Sequence, residues 1–223
     1  MKIEILQTAD GSNTLYLPEL DETYHSRHGS RQEALHVFIQ HGLQYFREVQ
    51  PEALDIQLLE VGFGTGLNAF LTFQEMSEQP KLHLNYIGYE THPVAQEIWE
   101  QLNYAASPSE NQVYQKIMEA PYGKKTSIAP NFDLEKIQAP IQSIDLKNQL
   151  DLVYFDAFGP RAQTEMWEIS IFEKLYNALK PGGILVTYCA MGQFKRDLKS
   201  LGFSVQAIPG PPGKREMTRA IKI

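Results

Sequence analysis

The sequence contains one cysteine and no long apolar run. Cys189 has no partner for an internal disulfide, so we expect a buried structural thiol in a chain that folds in a reducing compartment. No apolar stretch approaches the roughly 18 residues that span a bilayer. The acidic Glu4 stands where a secretory signal would need apolar residues. These absences predict a cytoplasmic protein without a membrane partner.

Basic residues are in the minority. The net charge of −7 argues against a protein that coats nucleic acid through overall basicity. The charge is unevenly distributed, because residues 191–223 carry seven Lys or Arg against two acids and the first 190 residues therefore carry −12. A basic terminal segment of this kind either contacts phosphates or forms a solvated face.

Metal-ligand and nucleophile motifs are also missing. The six histidines show no zinc-type spacing, and the sequence has no Gly-x-Ser-x-Gly turn. We therefore predict no metal site and no serine nucleophile.

The length of 223 residues and the 43% hydrophobic content predict a single domain, residues 1–223. The residues on either side of Asp10-Gly11 alternate between apolar and polar, which predicts a hairpin. Residues 30–46 have helical spacing, with Ser30 and Glu33 forming a possible capping box. We expect this hairpin and helix to form an N-terminal extension, residues 1–50, on a core of residues 51–223.

In the core, short apolar strands alternate with helical segments. This pattern predicts an α/β fold with a mostly parallel, twisted, Rossmann-like sheet and helices on both faces. The predicted segments, strands and helices alternating, are 56–60, 67–75, 84–89, 93–102, 151–156, 169–179, 183–189, 193–201 and 203–207. The polar, proline-interrupted stretch 105–147 gives no clear assignment.

The first core strand runs into three alternate glycines, Gly62, Gly64 and Gly66, and then into a helix that carries Asn68. Glycine lets the backbone turn tightly and approach a ligand closely. The Gly-x-Gly-x-Gly spacing differs from the usual dinucleotide pattern, and Glu60 suits the ammonium of a methionine moiety. We therefore predict an S-adenosylmethionine site, rather than a nicotinamide site, that includes all five residues.

Two further strands end in acids. Glu90 follows Gly64 by 26 residues, where a carboxylate can accept both ribose hydroxyls, unless it is a solvated loop acid. Asp156 should face the same crevice, because ligands bind beyond the carboxyl ends of parallel strands. A carboxylate there can orient an amine and assist its proton loss, although a purely structural acid is the alternative. Phe158 follows as a candidate substrate contact.

The candidate phosphate contacts lie near the carboxyl end. Lys214 and Arg215 occupy a loop rich in proline and glycine, and Lys195 and Arg196 lie in the preceding helical segment. These cations clamp a nucleic-acid backbone in one interpretation and form the exposed edge of a hairpin in the other.

Several of these motifs, in the same order, resemble the methyltransferase half of the bifunctional tRNA (5-methylaminomethyl-2-thiouridine) enzymes, and the resemblance covers nearly the whole chain. The motifs are 62–68, Asp156 with Phe158 and Pro160, Met166-Trp167, 188–196, Gly202-Phe203 and 212–217.

The resemblance implies a class I S-adenosylmethionine-dependent fold. It also implies methylation of 5-aminomethyl-(2-thio)uridine to 5-methylaminomethyl-(2-thio)uridine at the wobble position of tRNA. The three glycines would line the cofactor, Glu90 would bind its ribose, and Asp156 would hold the substrate amine.

The sequence departs from this family in two ways. The bifunctional members continue into a flavin-dependent oxidoreductase, whereas this chain has no flavin domain, so we expect another source of the aminomethyl substrate. Many methyltransferases of this fold also place an acid beside the adenine at the end of the third strand, where Gln138 stands here.

Other functions remain open on the sequence alone. An aminopropyltransferase of polyamine synthesis uses a related cofactor and a similarly placed aspartate, and another small-amine methyltransferase would need the same residues. A noncatalytic adenosyl-binding or RNA-interaction module would be expected to lack Asp156 or the glycines, and a nicotinamide oxidoreductase would bind the reduced cofactor.

Overall fold

The computed structural model describes residues 2–223, and the strands and helices lie within that range. The strands are β1 Glu4–Gln7, β2 Asn13–Leu17, β3 Glu22–Thr23, β4 Asp55–Val61, β5 His83–Glu90, β6 Lys125–Ala129, β7 Phe132–Gln138, β8 Leu150–Phe155, β9 Leu179–Thr187, β10 Phe203–Pro209 and β11 Glu216–Lys222.

The first helix, α1, has three consecutive segments, Ser30–Ala34, the wider π-helical Leu35–Gln44, and Tyr45–Val49. The other helices are α2 Leu67–Ser77, α3 Gln96–Trp99, α4 Pro108–Glu119, α5 Ile169–Ala178 and α6 Gly192–Ser200, with short 3₁₀ turns at Ile141–Ser143 and Thr164–Trp167.

Eight of the strands within residues 2–223 form one twisted sheet in the order β10-β11-β9-β8-β4-β5-β7-β6. The five central strands, from β9 to β7, are parallel to one another. The strands nearer the edges pair antiparallel. The sheet order reverses at β4, whose neighbours are β5 on one side and β8 on the other, and a crevice at the carboxyl ends of the strands forms at such a point.

Both faces of the sheet are covered, which explains why β8 is buried along its whole length. Successive residues of β4 point to opposite faces of the sheet: Leu58 joins a core with Phe38 of α1, and Leu59 joins a core with Phe172 of α5. Helices therefore lie on both faces, and the predicted Rossmann-like α/β fold is confirmed.

The N-terminal hairpin prediction is confirmed, since β1 and β2 pair antiparallel on either side of Asp10-Gly11. The helix begins at Ser30 as predicted, but the capping box is wrong. The Ser30 hydroxyl donates to the Asn13 carbonyl at 3.2 Å, and the Glu33 carboxylate accepts from the Ser26 amide at 2.7 Å. Both side chains that a capping box would use are hydrogen-bonded to residues outside the helix.

The segments with weak periodicity differ most from the prediction. The helix expected over 93–102 is limited to Gln96–Trp99, and the unassigned stretch contains α4, β6 and β7. Ser107 caps α4, because its hydroxyl accepts from the Glu110 amide at 3.2 Å and Pro108 begins the helix. No helix within residues 2–223 combines the length and apolar character that a bilayer span requires.

Candidate cofactor and active site

A cavity of about 490 Å³ opens at the carboxyl ends of β4, β5 and β8. Small-molecule and cofactor sites have volumes of about 300–1,000 Å³. The N-terminal extension closes one side of the cavity, because Tyr24 and Glu33 belong to its lining. The site is therefore built by the sheet and by the extension together.

The turn after β4 has the backbone conformation that its glycines predict. Gly62, Gly64 and Gly66 all have positive φ, at +87°, +49° and +70°. A Cβ on Gly62 would lie 2.5 Å from the carbonyl oxygen of Asp156, so β4 and β8 can approach this closely only with glycine there. Gly62 and Gly64 line the cavity. Gly66 does not, and instead packs against Met118 of α4.

Glu90 holds this turn at the end of β5. Its Oε2 accepts a hydrogen bond from the Gly64 amide at 2.9 Å, and its Oε1 accepts one from the His92 amide at 2.8 Å. The side chain lies on the cavity wall. A carboxylate has about four acceptor positions, so Glu90 can still accept two hydroxyls of a ribose. The glycine turn, this carboxylate and the cavity volume fit an adenosyl cofactor.

Glu60 does not line the cavity, and the direct contact that we predicted with the cofactor ammonium is corrected. The side chain is completely buried and accepts hydrogen bonds from Asn68 Nδ2 and the Tyr86 hydroxyl, each at 2.8 Å. Burial, followed by the negative charge of Asp156, raises its pKa well above the ordinary value. Glu60 does not reach the cavity because it precedes Gly62 by two residues and lies beneath the turn.

Asn68 connects the buried carboxylate to the cavity. Its Nδ2 donates to Glu60 Oε1 and to Asp156 Oδ2, both at 2.8 Å. Its Oδ1 is buried and has no hydrogen-bond partner among the described residues. Asn68 is also part of the cavity lining, as its predicted role requires.

Asp156 directly follows β8 and lines the cavity next to the glycine turn. Burial, followed by the negative charge of Glu33, raises its pKa to about 7, against the opposing effects of the Asn68 hydrogen bond and the Lys214 cation. A carboxyl group with such a pKa can accept or release a proton near neutral pH.

The predicted substrate contacts separate into two groups. Phe158 lines the cavity, and its ring meets that of Tyr24 edge to face, with centroids 5.1 Å apart. Lys214 also lines the cavity, with its Nζ 2.7 Å from Glu33 Oε1. Lys195, Arg196 and Arg215 lie outside it.

Those three basic residues have different surroundings. Lys195 Nζ lies 2.6 Å from Glu216 Oε1. The exposed Arg196 donates to the Gln193 side chain, and Arg215 is exposed. The positive charge of residues 191–223 is therefore partly neutralised by the Lys195–Glu216 and Lys214–Glu33 ion pairs.

Gln138 is exposed at the end of β7 and is absent from the cavity wall, which corrects its predicted contact with adenine. The wall continues instead with the next four residues, 139–142. Gln138 is the last residue of β7, but its side chain does not form part of the cavity wall.

Sequence reasoning missed Glu33 and Tyr188 as site residues. Tyr188 lines the cavity, and its hydroxyl donates to the Ala157 carbonyl at 2.7 Å. Glu33 had been interpreted as a helix cap, and no local pattern could indicate its contact with a lysine 181 positions later.

The reversed strand order, the glycine turn and the strand-end acids define a Rossmann-like α/β protein with a site for an adenosyl cofactor. Residues 96–223 match the model of a family described as S-adenosyl-L-methionine-dependent methyltransferase. The chain belongs to this family of enzymes, and S-adenosyl-L-methionine is its cofactor.

Curated relatives extend the similarity to nearly the whole chain, as the sequence motifs had predicted. The tRNA 5-methylaminomethyl-2-thiouridine biosynthesis bifunctional protein MnmC of Cupriavidus necator is 31% identical over 214 residues, covering 92% of this chain and 32% of that protein. The protein of the same name from Cupriavidus metallidurans is 30% identical, covering 93% and 32%. The chain thus spans about a third of the length of these relatives.

Two solved structures have a fold similar to that of this chain. The crystal structure of MnmC2 from Aquifex aeolicus has a TM-score of 0.81 and 25% identity, covering 98% of this chain and 70% of that chain. Spermidine synthase from Thermotoga maritima has a TM-score of 0.57 and 14% identity, covering 99% and 68%, and shows a shared fold alone.

Proposed function

We propose that this enzyme methylates the amine of 5-aminomethyl-(2-thio)uridine at the wobble position of tRNA, giving 5-methylaminomethyl-(2-thio)uridine. One observation carries the proposal: Asp156, with a pKa near neutrality, lies on the wall of the cofactor cavity. The names of the curated relatives, which describe biosynthesis of this nucleoside in tRNA, support the choice of substrate.

Within this proposal, residues of the cavity wall bind the cofactor and assist the reaction. Gly62 and Gly64 leave room for the methionine end of the cofactor, and Glu90 accepts the ribose hydroxyls. Asn68 fixes the Asp156 carboxylate through a hydrogen bond of 2.8 Å. The bound cofactor supplies an electrophilic methyl group, and Asp156 orients the amine and takes its proton.

The surroundings of the reaction follow from the same proposal. Phe158 and Tyr24 would border the uracil, and the exposed Arg196 and Arg215 would contact the tRNA backbone. Residues 1–223 would act as one domain, because the N-terminal extension contributes part of the cavity wall. A cytoplasmic location would bring the enzyme together with tRNA.

A second candidate, transfer of an aminopropyl group to a polyamine, has one observation in its favour. The cavity lining includes five acids, more than a single amine requires. They are Glu22, Glu33, Glu90, Asp156 and Glu165.

One experiment separates the two functions. The protein is incubated with S-adenosylmethionine and tRNA that carries 5-aminomethyluridine at the wobble position, and in parallel with decarboxylated S-adenosylmethionine and putrescine. Nucleosides and amines are then analysed by mass spectrometry. We expect one added methyl on the aminomethyl nucleoside and no spermidine. Unmodified nucleoside together with spermidine would reverse the assignment.

A further inference from the structure

The Asp156 end of the cavity contains a second carboxylate. Glu33 of α1 borders the cavity there, and its side chain is only 11% exposed. Its negative charge adds to burial in raising the pKa of Asp156. Two poorly solvated carboxylates are stable together when a cation neutralises them. This end of the cavity therefore favours a cation.

The protein supplies such a cation itself. Lys214 Nζ lies 2.7 Å from Glu33 Oε1 and 3.9 Å from the centroid of the Tyr188 ring. Within residues 2–223, Lys214 is the one Lys or Arg that lines the cavity. A carboxylate and an aromatic face together form a receptor for an alkylammonium group.

The two partners of this ion pair differ in how firmly they are held. The Glu33 carboxylate also accepts from the Ser26 amide at 2.7 Å, and the Tyr188 ring is fixed by its bond to the Ala157 carbonyl. Lys214 belongs to the loop between β10 and β11, and its side chain is 36% exposed on a flexible four-carbon stem. The ammonium can leave while the receptor stays in place.

We propose that Glu33 and the Tyr188 ring form the receptor for the substrate ammonium, and that the Lys214 ammonium occupies this receptor until the substrate displaces it. The inference rests on the proposed function, because it needs an amine as methyl acceptor. The substrate class is a primary alkylammonium.

Protons and charge balance in the methyl transfer. The ammonium held by Glu33 gives one proton to the Asp156 carboxylate, and the freed nitrogen lone pair forms the new bond to the methyl carbon. The carbon–sulfur bond breaks with its electron pair remaining on sulfur. The product is a secondary ammonium, which Glu33 still neutralises.

Binding of two isosteric nucleosides tests the receptor directly. Titration calorimetry compares 5-aminomethyluridine with neutral 5-hydroxymethyluridine on protein saturated with S-adenosylhomocysteine. We expect the parent to prefer the amine by about tenfold or more, and Glu33→Gln to reduce this preference to within about threefold. A folded Glu33→Gln variant that keeps the full preference overturns the proposal.

Glu75→Gln is the matched control. Glu75 forms a similar ion pair with Arg47, at 3.1 Å, and does not line the cavity. This variant should retain the amine preference of the parent. An equal loss in both variants would show that any broken ion pair on α1 disturbs the site, and would count against the receptor.

Lys214→Met tests the displacement and does not depend on the folding of the Glu33 variant. Removal of the internal competitor should raise the amine preference several-fold, because a tethered group competes at an effective concentration of about millimolar or more. The nucleosides carry no phosphate, so a phosphate contact of Lys214 cannot contribute. A decreased preference would overturn the displacement.

The pH dependence of kcat/KM on aminomethyl tRNA gives a readout that a merely structural role would not produce. The pKa of Asp156 depends on Glu33, Lys214 and Asn68. The charge of Asp156 in turn raises the pKa of Glu60, Tyr86 and Tyr188. Loss of the negative neighbour in Glu33→Gln should move the acid limb to lower pH. Loss of the positive neighbour in Lys214→Met should move it to higher pH. Shifts in the same direction would contradict the proposal.

The two hypotheses fail in different ways. A parent enzyme that methylates aminomethyl tRNA, with a Glu33→Gln variant of unchanged KM and unchanged amine preference, would refute the receptor alone. A parent that methylates no aminomethyl RNA would refute the proposed function, and the receptor with it.

Discussion

At the scale of single residues, the environment of Asp156 suits proton transfer and lowers the stability of the folded state at neutral pH. Its pKa of about 7 in the folded protein lies above the value of about 3.9 expected in the unfolded chain. A carboxyl group with a raised pKa stabilises the folded state below its unfolded pKa, and this contribution is lost as the pH rises through 7. At neutral pH and above, the ionised Asp156 therefore opposes folding.

At pH 8, the free energy of unfolding of Asp156→Asn should therefore equal that of the parent or exceed it by up to a few kcal/mol. The difference should vanish below about pH 4, where both side chains are neutral. The new amide oxygen can still accept from Asn68 Nδ2. Methyl transfer should fall by about 10²–10⁴-fold. Urea unfolding at several pH values, together with turnover assays, measures both effects.

The control for this prediction is Asp151→Asn. Asp151 lies 2.7 Å from Lys180 Nζ and accepts from the Gln57 amide, so its substitution should lower the free energy of unfolding. A loss of stability at pH 8 in Asp156→Asn similar to that in Asp151→Asn would show that Asp156 serves the fold.

At the scale of elements, the glycine turn depends on the end of the neighbouring strand. The amides of Gly62 and Phe63 both donate to the Tyr89 carbonyl at 3.0 Å, and the Gly64 amide donates to Glu90. The last residues of β5 thus determine the shape of a turn that begins some 30 residues earlier in the sequence. Glu90 has a structural and a ligand-binding role at once.

Glu90→Ala should weaken S-adenosylmethionine binding by about 10- to 100-fold, because hydrogen bonds to a charged group contribute about 1.5–3 kcal/mol. Isothermal titration calorimetry measures this loss. Gln138→Ala is the matched control, since Gln138 pairs with Glu90 across β5 and β7 but is exposed and outside the cavity. Equal affinity of Glu90→Ala and the parent would remove Glu90 from the cofactor site.

At the scale of the whole molecule, the basic terminal segment is less available to a ligand than its charge suggests. Lys195 and Lys214 are paired with acids, and the Arg219 guanidinium lies over the Tyr45 ring, 3.3 Å from its centroid. Arg196 and Arg215 are exposed and have no salt bridge within residues 2–223. They are the better candidates for phosphate contacts.

The double variant Arg196→Ala/Arg215→Ala should therefore bind tRNA more weakly and with a smaller salt dependence. Each lost phosphate contact should reduce the slope of log K against log salt by about 1. Filter binding at several salt concentrations gives the slope, and cofactor affinity should not change. Lys125→Ala, on the opposite edge strand β6, is the control with an exposed cation. A slope equally reduced in the control would indicate only an effect of net charge.

Local sequence patterns determined much of this protein. Residue alternation predicted the hairpin, short apolar segments predicted the central strands, and the three alternate glycines predicted the tight turn after β4. The acids at the ends of β5 and β8 were placed correctly because parallel strands end at the same edge of a sheet. Each of these features depends on residues close together in the chain, or on a general rule of sheet topology.

The tertiary structure alone decided the surroundings of Asp156. Glu33 meets Lys214 across 181 positions, the Glu60 carboxylate accepts from Asn68 beneath the turn, and Gln138 does not line the cavity. Helix α4 and the β6–β7 pair were missed because their apolar positions are few and form a face only against the rest of the core. Side-chain partners that are distant in sequence are fixed by packing, and packing is a property of the assembled layers that no local pattern contains.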